Sequence, residues 1–325
     1  MGQTMGGKLI QYFRGVLCLA FAFMMIAEPA LGEVYIDQEK PADWEERSLL
    51  RIYALYSLDC DAFVLECCGK TMVLDGGKNE SNLIQFLREH DILHPDIIFN
   101  SHPHDDHIDA VYFALRNDHM TTDVFISPFR ENYPDAADTF QRRVVKVLAE
   151  KEIPYRQVTN GEVLQLGEAE MTVYHYDGKT RKPNGGSMTV NDMSGVLRVC
   201  FGDASILLTA DIGGTIQQML AKDYGPAGLK SDILKAPHHG KNAINGDLLK
   251  AVDPKLTLIT GKVSRTEDCR KQLEHNGIEW KRTSYGNITM ETDGKDWYVN
   301  QEDTFGELEK LRKQKERQEK RKKKK

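Results

Sequence analysis

The segment His102–His107 places three histidines and two aspartates within six consecutive positions. It closely follows the apolar run Ile97–Phe99, which has the composition of a buried strand. Imidazole and carboxylate groups are the ligands that suit Zn²⁺ and similar divalent ions. A solvated polar loop could account for one such histidine, but it is a poor account of the whole His-x-His-x-Asp-His pattern. The chain is therefore expected to fold around a metal site at the end of a strand.

Two other segments with metal-binding side chains follow predicted buried strands. Asp211 comes after the apolar run Ser205–Thr209, and the sequence Pro237-His238-His239-Gly240 comes after Asp232–Ala236. Taken alone, Asp211 could cap the helix that follows it. However, five of the ten histidines lie at two strand ends, with this acid between them in sequence. That arrangement favours one shared site over three unrelated features.

Short apolar runs alternate with amphipathic segments along the chain, which predicts an α/β sandwich. The strand-like runs fall into two halves, and each half also holds helical segments such as Asp109–Asn117. No glycine-rich phosphate loop follows the early strands, so neither a doubly wound parallel sheet nor a nucleotide cofactor is expected. Residues 33–303 contain no evident linker or repeat and are interpreted as one domain.

The first 32 residues are interpreted as a secretory signal peptide. Lys8 and Arg14 precede an apolar run, and Pro29–Gly32 then supplies small residues at the usual spacing for cleavage. The apolar run is short of the roughly 20 residues that span a bilayer. We therefore expect cleavage near Gly32 and a secreted or extracytoplasmic protein, with no transmembrane segment after removal of the signal.

Residues 304–325 form a basic tail on a chain whose overall net charge is −6. The tail holds 11 Lys and Arg residues and four Glu residues, a net charge of +7. Such a run predicts a disordered segment or a frayed helix. It could simply increase solubility, or it could bind a polyanion such as nucleic acid, a wall polymer or anionic lipid.

Several segments resemble hydrolases of the metallo-β-lactamase superfamily over nearly all of Leu50–Val299. The residues that carry this resemblance are CDAFVLECCGKTMVLDGG ending at Gly77, SHPHDDH ending at His107, NDMSGVLRV from Asn191, ILLTADI ending at Ile212 and DILKAPHHG ending at Gly240. Within the superfamily, the chain is most similar to the branch with ComEC-like competence proteins for DNA uptake and secreted phosphorylcholine esterases. The resemblance implies a four-layer αββα sandwich, with its site along one edge between two β-sheets.

The resemblance also implies two divalent metal ions, with zinc expected and manganese or iron as alternatives. The implied ligands are His102, His104, Asp106, His107, Asp211 and His239. In this assignment the first two histidines bind one ion, Asp106 and His107 bind the other, and Asp211 bridges both.

The final ligand is either His238 or His239. Many relatives end this loop in Gly-His-Gly, and aligning the loop with that sequence selects His239. His238 would then face the substrate and donate to a developing oxyanion. Asp106 is expected to orient the nucleophile or to pass on its proton, so Asp106 and His238 are the predicted catalytic residues.

One region departs from the common pattern of the superfamily. Many members carry a further histidine ligand before the bridging acid, whereas this chain has Asn191–Ser194 there. The ComEC-like branch usually has Asn and Ser residues at this point, so the resemblance is kept. His175 is the only histidine nearby, and we expect it to have a structural role.

The function that follows is a secreted binuclear hydrolase of phosphodiester bonds, in small molecules or polymers, that uses a hydroxide formed on the metals. One alternative is a hydrolase of a lactone, a β-lactam or another carbonyl substrate, and another is a binding protein that does no chemistry. Metal analysis and a substrate panel would separate these. Substrate specificity is expected to lie in the loops Ser127–Asp135 and Tyr176–Thr189.

Overall fold

The computed structural model describes residues 32–78, 80–133, 139–304, 306–310 and 313. The predicted signal peptide and most of the basic tail lie outside these residues. Within the described part of the chain there are sixteen strands: β1 (Val34–Ile36), β2 (Leu50–Ala54), β3 (Phe63–Cys67), β4 (Lys70–Leu74), β5 (Ile97–Phe99), β6 (Val124–Ser127), β7 (Tyr155–Gln157), β8 (Val163–Leu166), β9 (Ala169–Tyr174), β10 (Val196–Phe201), β11 (Ala204–Leu208), β12 (Ile233–Lys235), β13 (Leu256–Ile259), β14 (Glu279–Arg282), β15 (Ile288–Thr292) and β16 (Trp297–Gln301).

The same residues form six α-helices: α1 (Glu80–Glu89), α2 (Asp105–Arg116), α3 (Thr139–Glu150), α4 (Gly214–Leu229), α5 (Gly246–Val252) and α6 (Glu267–His275). Short 3₁₀ turns lie at Trp44–Glu46, Asn191–Met193, Pro237–Gly240, Val263–Arg265 and Thr283–Tyr285. Among these described helices, none combines the length and the apolar character that a membrane crossing requires.

The strands form two mixed sheets. The first sheet has nine strands in the order β1-β16-β15-β2-β3-β4-β5-β6-β7, and β4 to β7 in it run parallel. The second has seven strands in the order β14-β13-β12-β11-β10-β9-β8, and β11 to β14 in it run parallel. The carboxyl ends of β5, β11 and β12 are the places where the sequence predicts metal-binding side chains.

Three hydrophobic cores separate four layers. The two sheets share the central core, to which the first sheet contributes Leu65 and the second contributes Ile206. Val64 points the other way and packs with α1, α2 and α3 on the outer face of the first sheet. Leu207 packs with α4, α5 and α6 on the outer face of the second sheet. This arrangement confirms the predicted four-layer αββα sandwich.

Helix α2 begins at Asp105, whereas the sequence predicted a helix over Asp109–Asn117. The N–H groups of His107 and Ile108 both bond to the carbonyl oxygen of His104, at 3.1 Å. Carboxylates are favourable in the first turn of a helix because the free N–H groups there carry partial positive charge. Asp106 and His107 therefore lie on the first turn of a helix and not in a loop.

The β10–β11 hairpin turn offers a test of how the sheets pack. Gly202 has φ of +58°, and a Cβ atom there would lie 2.4 Å from the carbonyl oxygen of Gly294, which belongs to the other sheet's β15–β16 turn. We expect Gly202→Ala to lower the free energy of unfolding by about 2–4 kcal/mol. Gly161 has φ of +82° with no atom within 4 Å of a Cβ, so Gly161→Ala is expected to cost only about 1 kcal/mol. Urea unfolding of both variants measures the difference, and equal losses would contradict the packed turn.

Candidate metal centre

Three loops from the two sheets meet at one edge of the sandwich. The loop after β5 carries the histidine cluster, the loop after β11 carries Asp211, and the loop after β12 carries His238 and His239. The Nε2 atoms of His107 and His239 each lie 3.3 Å from a carboxylate oxygen of Asp211. Since β5 belongs to the first sheet and the other two strands to the second, the site lies between the sheets.

His102 and His104 form one side of this site. The Nε2 atom of His102 is 3.1 Å from Nδ1 of His104. The ring centroids of His102 and His107 are 4.1 Å apart. Two ring nitrogens this close cannot both carry a hydrogen between them. Either one nitrogen accepts a hydrogen bond from the other, or both bind a shared cation.

Asp211 is the central carboxylate of the site. Its Oδ1 atom faces His107 Nε2 and its Oδ2 atom faces His239 Nε2. Asp106 Oδ2 also lies 3.3 Å from His239 Nε2. Among the described residues, His107 Nε2, His239 Nε2 and Asp211 Oδ1 are buried without a hydrogen-bond partner. Buried polar atoms normally have a partner, so this cluster is incomplete on its own.

The separations within the cluster fit a tetrahedral metal ion. Two atoms bound to one zinc ion at about 2.1 Å lie about 3.3–3.4 Å apart. The four close separations described above lie between 3.1 and 3.3 Å. The residues Asp61, His107, Asp211 and His239 offer ligand atoms that all lie within 4.8 Å of one another. The described residues therefore form a candidate metal site.

Two of the imidazoles each contact a carboxylate through Nδ1, the ring nitrogen that does not face Asp211. Asp75 Oδ2 lies 2.8 Å from Nδ1 of His107, and Asp61 Oδ1 lies 3.0 Å from Nδ1 of His239. Asp75 is itself fixed by the backbone N–H of Ser101, at 2.8 Å. A proton on Nδ1 of each imidazole leaves the lone pair of Nε2 directed into the site, which is the orientation that metal ligands need.

Asp61 belongs to the candidate set by distance, but other groups already engage its oxygens. Lys235 Nζ lies 2.5 Å from Oδ2, and Thr260 Oγ1 donates to Oδ1 at 2.6 Å. Asp106 has a partly exposed carboxylate, whose nearest contact in the site is His239. We therefore interpret Asp61 as the support of His239, and Asp106 as the carboxylate that faces the open side of the site.

The ionisation of the site follows from this crowding of carboxylates and imidazoles. Burial alone would lower the pKa of His239, but the carboxylates of Asp211 and Asp61 outweigh burial and raise that pKa to about 10. For His107, Asp211 and Asp75 likewise overcome burial and hold the pKa well above its ordinary value. Burial would raise the pKa of Asp211, yet His239 and His107 hold it well below its ordinary value. Protons thus supply the positive charge here, and a divalent cation can replace them.

The structure distinguishes the two adjacent histidines. His239 is buried with its Nε2 atom near Asp106 and Asp211, whereas the side chain of His238 is 32% exposed and its Nε2 atom lies 3.6 Å from Asp211 Oδ2. Both residues have positive φ, +50° and +59°. Two successive residues in this region are strained, and such strain is typical of functional sites. His239 thus occupies the inner position and His238 the rim.

A buried lysine completes the surroundings of the site. The ammonium group of Lys235 donates to the carbonyl oxygen of Ala210 at 2.8 Å and lies 3.7 Å from Asp211 Oδ1. Together with its contact to Asp61, this places one fixed positive charge between two buried carboxylates. Helix α4 has Gly213 at its N-cap with no side-chain cap, so Asp211 does not serve as the helix cap that the sequence left open.

The segment in which the sequence departs from the expected histidine forms the turn at Asn191–Met193. Directly after it, the N–H of Gly195 donates to the carbonyl oxygen of Ser101 at 2.9 Å, which places the turn beside the histidine loop. Among the described residues, Asn191 Oδ1 and Ser194 Oγ are buried without a hydrogen-bond partner. The turn thus brings two buried, neutral oxygen atoms to the neighbourhood of the histidine loop.

The six predicted ligands and the rim residue His238 converge on one site, but the sequence interpretation missed three supporting residues. Asp75 follows strand β4 directly, so the rule that singled out Asp211 could have found it. Lys235 ends a predicted buried strand, where a charged side chain is unusual and is itself a signal. Asp61 has no local signal, because its role depends on contacts with residues far along the chain.

The comparisons agree with this geometry. The sequence is 26% identical over 188 residues to ComE operon protein 3 of Bacillus subtilis strain 168, a match that covers 57% of this chain but only 22% of that protein. The metallo-β-lactamase fold protein YhfI from Bacillus subtilis covers 76% of this chain and 100% of its own, with a TM-score of 0.50 and 13% identity. No family model matches the sequence.

The chain therefore has the metallo-β-lactamase fold, as the sequence predicted. The match to ComE operon protein 3 agrees with the ComEC-like branch. The fold and the candidate metal site together agree with the predicted metal-dependent hydrolase.

Proposed function

We propose that this protein is a binuclear metal-dependent hydrolase that cleaves phosphodiester bonds. The observation that carries the proposal is the position of Asp211, whose two carboxylate oxygens each lie 3.3 Å from the Nε2 atom of a different imidazole. Both imidazoles belong to one proposed ion, and His102, which belongs to the other, interacts with Asp211 and has its ring centroid 4.1 Å from that of His107. A carboxylate beside both groups of ligands can bridge two cations. The ComEC-like resemblance, together with neutral residues in place of the further histidine, favours phosphorus over carbon as the centre attacked.

His102, His104 and Asp211 would hold the proposed first ion. Asp211 would also hold the proposed second ion, together with the following three side chains: Asp106, His107 and His239. Sets rich in imidazole suit zinc, with manganese and iron as alternatives. When bound, such ions would activate water as a nucleophile and stabilise the negative charge that develops on a phosphoryl oxygen.

The protein's own groups orient the reactants and handle the proton. Burial would raise the pKa of Asp106, but its hydrogen bond with His239 lowers it, so Asp106 is ionised and can accept a hydrogen bond from the attacking water. Burial lowers the pKa of His238, so its imidazole is neutral near pH 7 and can donate one N–H to the developing oxyanion or the leaving group. Lys235 and Asp61 hold His239 in place throughout.

We expect the purified protein to bind about two metal ions per chain. Since His102 is a ligand of the proposed first ion alone, His102→Ala should reduce binding to about one ion. His94 pairs with Asp123 at the surface, so His94→Ala is the matched control and should keep both. Elemental analysis after reconstitution with Zn²⁺, Mn²⁺ or Fe²⁺ measures the stoichiometry. Less than about half an equivalent of every metal would refute the assignment.

A substrate panel tests the reaction itself. The metal-loaded protein should hydrolyse bis(p-nitrophenyl) phosphate faster than a chromogenic lactone or cephalosporin. Preference for either carbonyl substrate would overturn the phosphodiester assignment and support the carbonyl alternative. Hydrolysis of none of them, with two metal ions bound, would instead indicate a binding protein on the same scaffold.

The two ends of the chain lie largely outside the described residues, and a separate proposal concerns each. We propose that residues 1–32 direct export, which N-terminal sequencing of protein from the culture medium tests.

We also propose that the basic tail holds a polyanion near the site. Binding of a long polyphosphate at low and high salt, with and without residues 305–325, tests that role.

A further inference from the structure

A cavity of about 450 Å³ lies where the loop after β6 meets the turn at Asn191–Met193. Its lining includes Pro128 and Gly178, from the two loops where the sequence predicted specificity, and Met193 from the turn before β10. A Cβ atom on Gly195 would lie 3.2 Å from Pro128, and the N–H of Gly195 bonds to Ser101. Ser101 Oγ is in turn 3.1 Å from Nδ1 of His102. A short line of contacts therefore joins the cavity wall to the histidine cluster.

Two cationic side chains line this cavity without being neutralised. Arg130 and Lys179 are exposed, and neither side chain has a hydrogen bond or ion pair with any residue that the structure describes. Asp177 is the acid in the same lining, but its Oδ1 atom already accepts from the backbone N–H groups of Lys179 and Thr180, at 3.0 Å each. With Asp177 ionised, Arg130 and Lys179 leave the cavity lining with a net charge of +1.

The remaining lining is mostly apolar or aromatic, and its polar side chain Gln157 donates to the carbonyl oxygen of Pro128 at 3.0 Å. The rings of Phe129 and Tyr133 pack edge to face with centroids 5.0 Å apart. His175 Nδ1 lies 2.8 Å from the carbonyl oxygen of Met193, a contact that fixes its ring in the wall. A ligand that fits here carries negative charge at one end and an apolar body at the other.

We propose that this cavity binds a second phosphate group of the substrate, next to the phosphodiester that is cleaved. Guanidinium and ammonium groups both bind phosphate through charge-assisted hydrogen bonds. Arg130 and Lys179 then determine specificity, and the protein prefers substrates with consecutive phosphates over those with one. This inference rests on the proposed hydrolase function. The shared chemistry is a repeated phosphate, from either a nucleotide chain or a polyol phosphate chain.

Two chromogenic substrates that differ by one phosphate test the proposal. They are the p-nitrophenyl ester of thymidine 5′-phosphate and the same ester carrying a 3′-phosphate. The ratio of their kcat/KM values should favour the second substrate in the native protein. In Arg130→Ala and in Lys179→Ala this ratio should fall by at least about 10-fold, since hydrogen bonds to charged groups have this strength. Lys250→Ala removes an exposed charge on α5, away from the cavity, and should keep the ratio.

A binding measurement keeps this inference separate from the proposed reaction. Calorimetry on the metal-loaded protein should show tighter binding of thymidine 3′,5′-bisphosphate than of thymidine 5′-phosphate, with the difference lost in Arg130→Ala. If neither ester is hydrolysed but this difference is seen, the hydrolase proposal fails and the phosphate site stands. An equal effect of Arg130→Ala and Lys250→Ala, or no difference between the two nucleotides, overturns the site. Repeating the comparison with propanediol bisphosphate and monophosphate assigns the second phosphate to a polyol chain if the difference persists, or to a nucleotide if it disappears.

Discussion

Replacing Asp211 with asparagine is expected to lower the turnover of bis(p-nitrophenyl) phosphate by at least about 100-fold, a rise in the barrier of about 2.7 kcal/mol. The substitution keeps the size of the side chain but removes its charge and replaces one oxygen with a nitrogen. That oxygen could no longer accept from, or share a cation with, one of the two imidazoles beside it. Turnover at saturating metal, together with the metal content of the variant, measures the effect.

Asp232→Asn is the matched control for this variant. Asp232 is also buried, but its carboxylate accepts from the N–H of Ser205 at 2.8 Å and from the indole of Trp297 at 3.3 Å, away from the site. The control should keep turnover close to that of the native protein. If Asp211→Asn retained more than about a tenth of native turnover, the bridging role of Asp211 would be wrong.

Replacing Lys235 with methionine is expected to lower the free energy of unfolding by about 3–5 kcal/mol. The methionine fills similar space, but it leaves the carboxylate of Asp61 buried without its closest cation. Removing one partner of a buried ion pair is costly because the remaining charge stays desolvated. Urea unfolding of the metal-free protein measures this loss without a contribution from bound ions.

Two further variants test whether the unpaired charge of Asp61 causes the loss of stability in Lys235→Met. Asp61→Asn in the Lys235→Met background should recover part of the loss, because it removes the buried charge. Lys281 contacts the partly exposed Asp37 at 2.9 Å, and Lys281→Met should cost only about 1 kcal/mol. Equal losses in the two lysine variants would contradict a special role for Lys235.

Local patterns were sufficient to predict an α/β sandwich and to single out the three segments that meet at the site, whereas the four-layer arrangement followed from the family resemblance. Buried strands are apolar, and each group of ligands follows such a strand directly. The start of α2 was missed because Asp105 and Asp106 read as loop residues, although the helix N-terminus stabilises them. Strand β1 has only three residues and is recognised as a strand by its pairing with β16. Its own sequence is too short to predict a strand. Helix α6 buries only Cys269 and Leu273, which leaves a weak apolar stripe.

The residues that support the ligands show a different limit of prediction from a single sequence. Asp61 and His239 are separated by 178 positions, and nothing in the composition of either segment indicates that they meet. The partner of Lys235 is equally remote. Such pairs arise from the way the two sheets pack, so a single sequence can indicate that Lys235 is unusual but not what it contacts.

The position of the site between the sheets has a consequence for how the protein acquires activity. The histidine cluster is made early in synthesis, whereas Asp211 and His239 come from strands of the second sheet that are made later. The first sheet also takes β15 and β16 from the end of the chain, so the amino-terminal half holds the histidine cluster but lacks both the acid beside it and part of its own sheet. A nascent or clipped chain that ends before Asp211 is therefore inert as an enzyme. The complete candidate site therefore requires both sheets, and the first sheet is complete only when the last strands of the chain are in place.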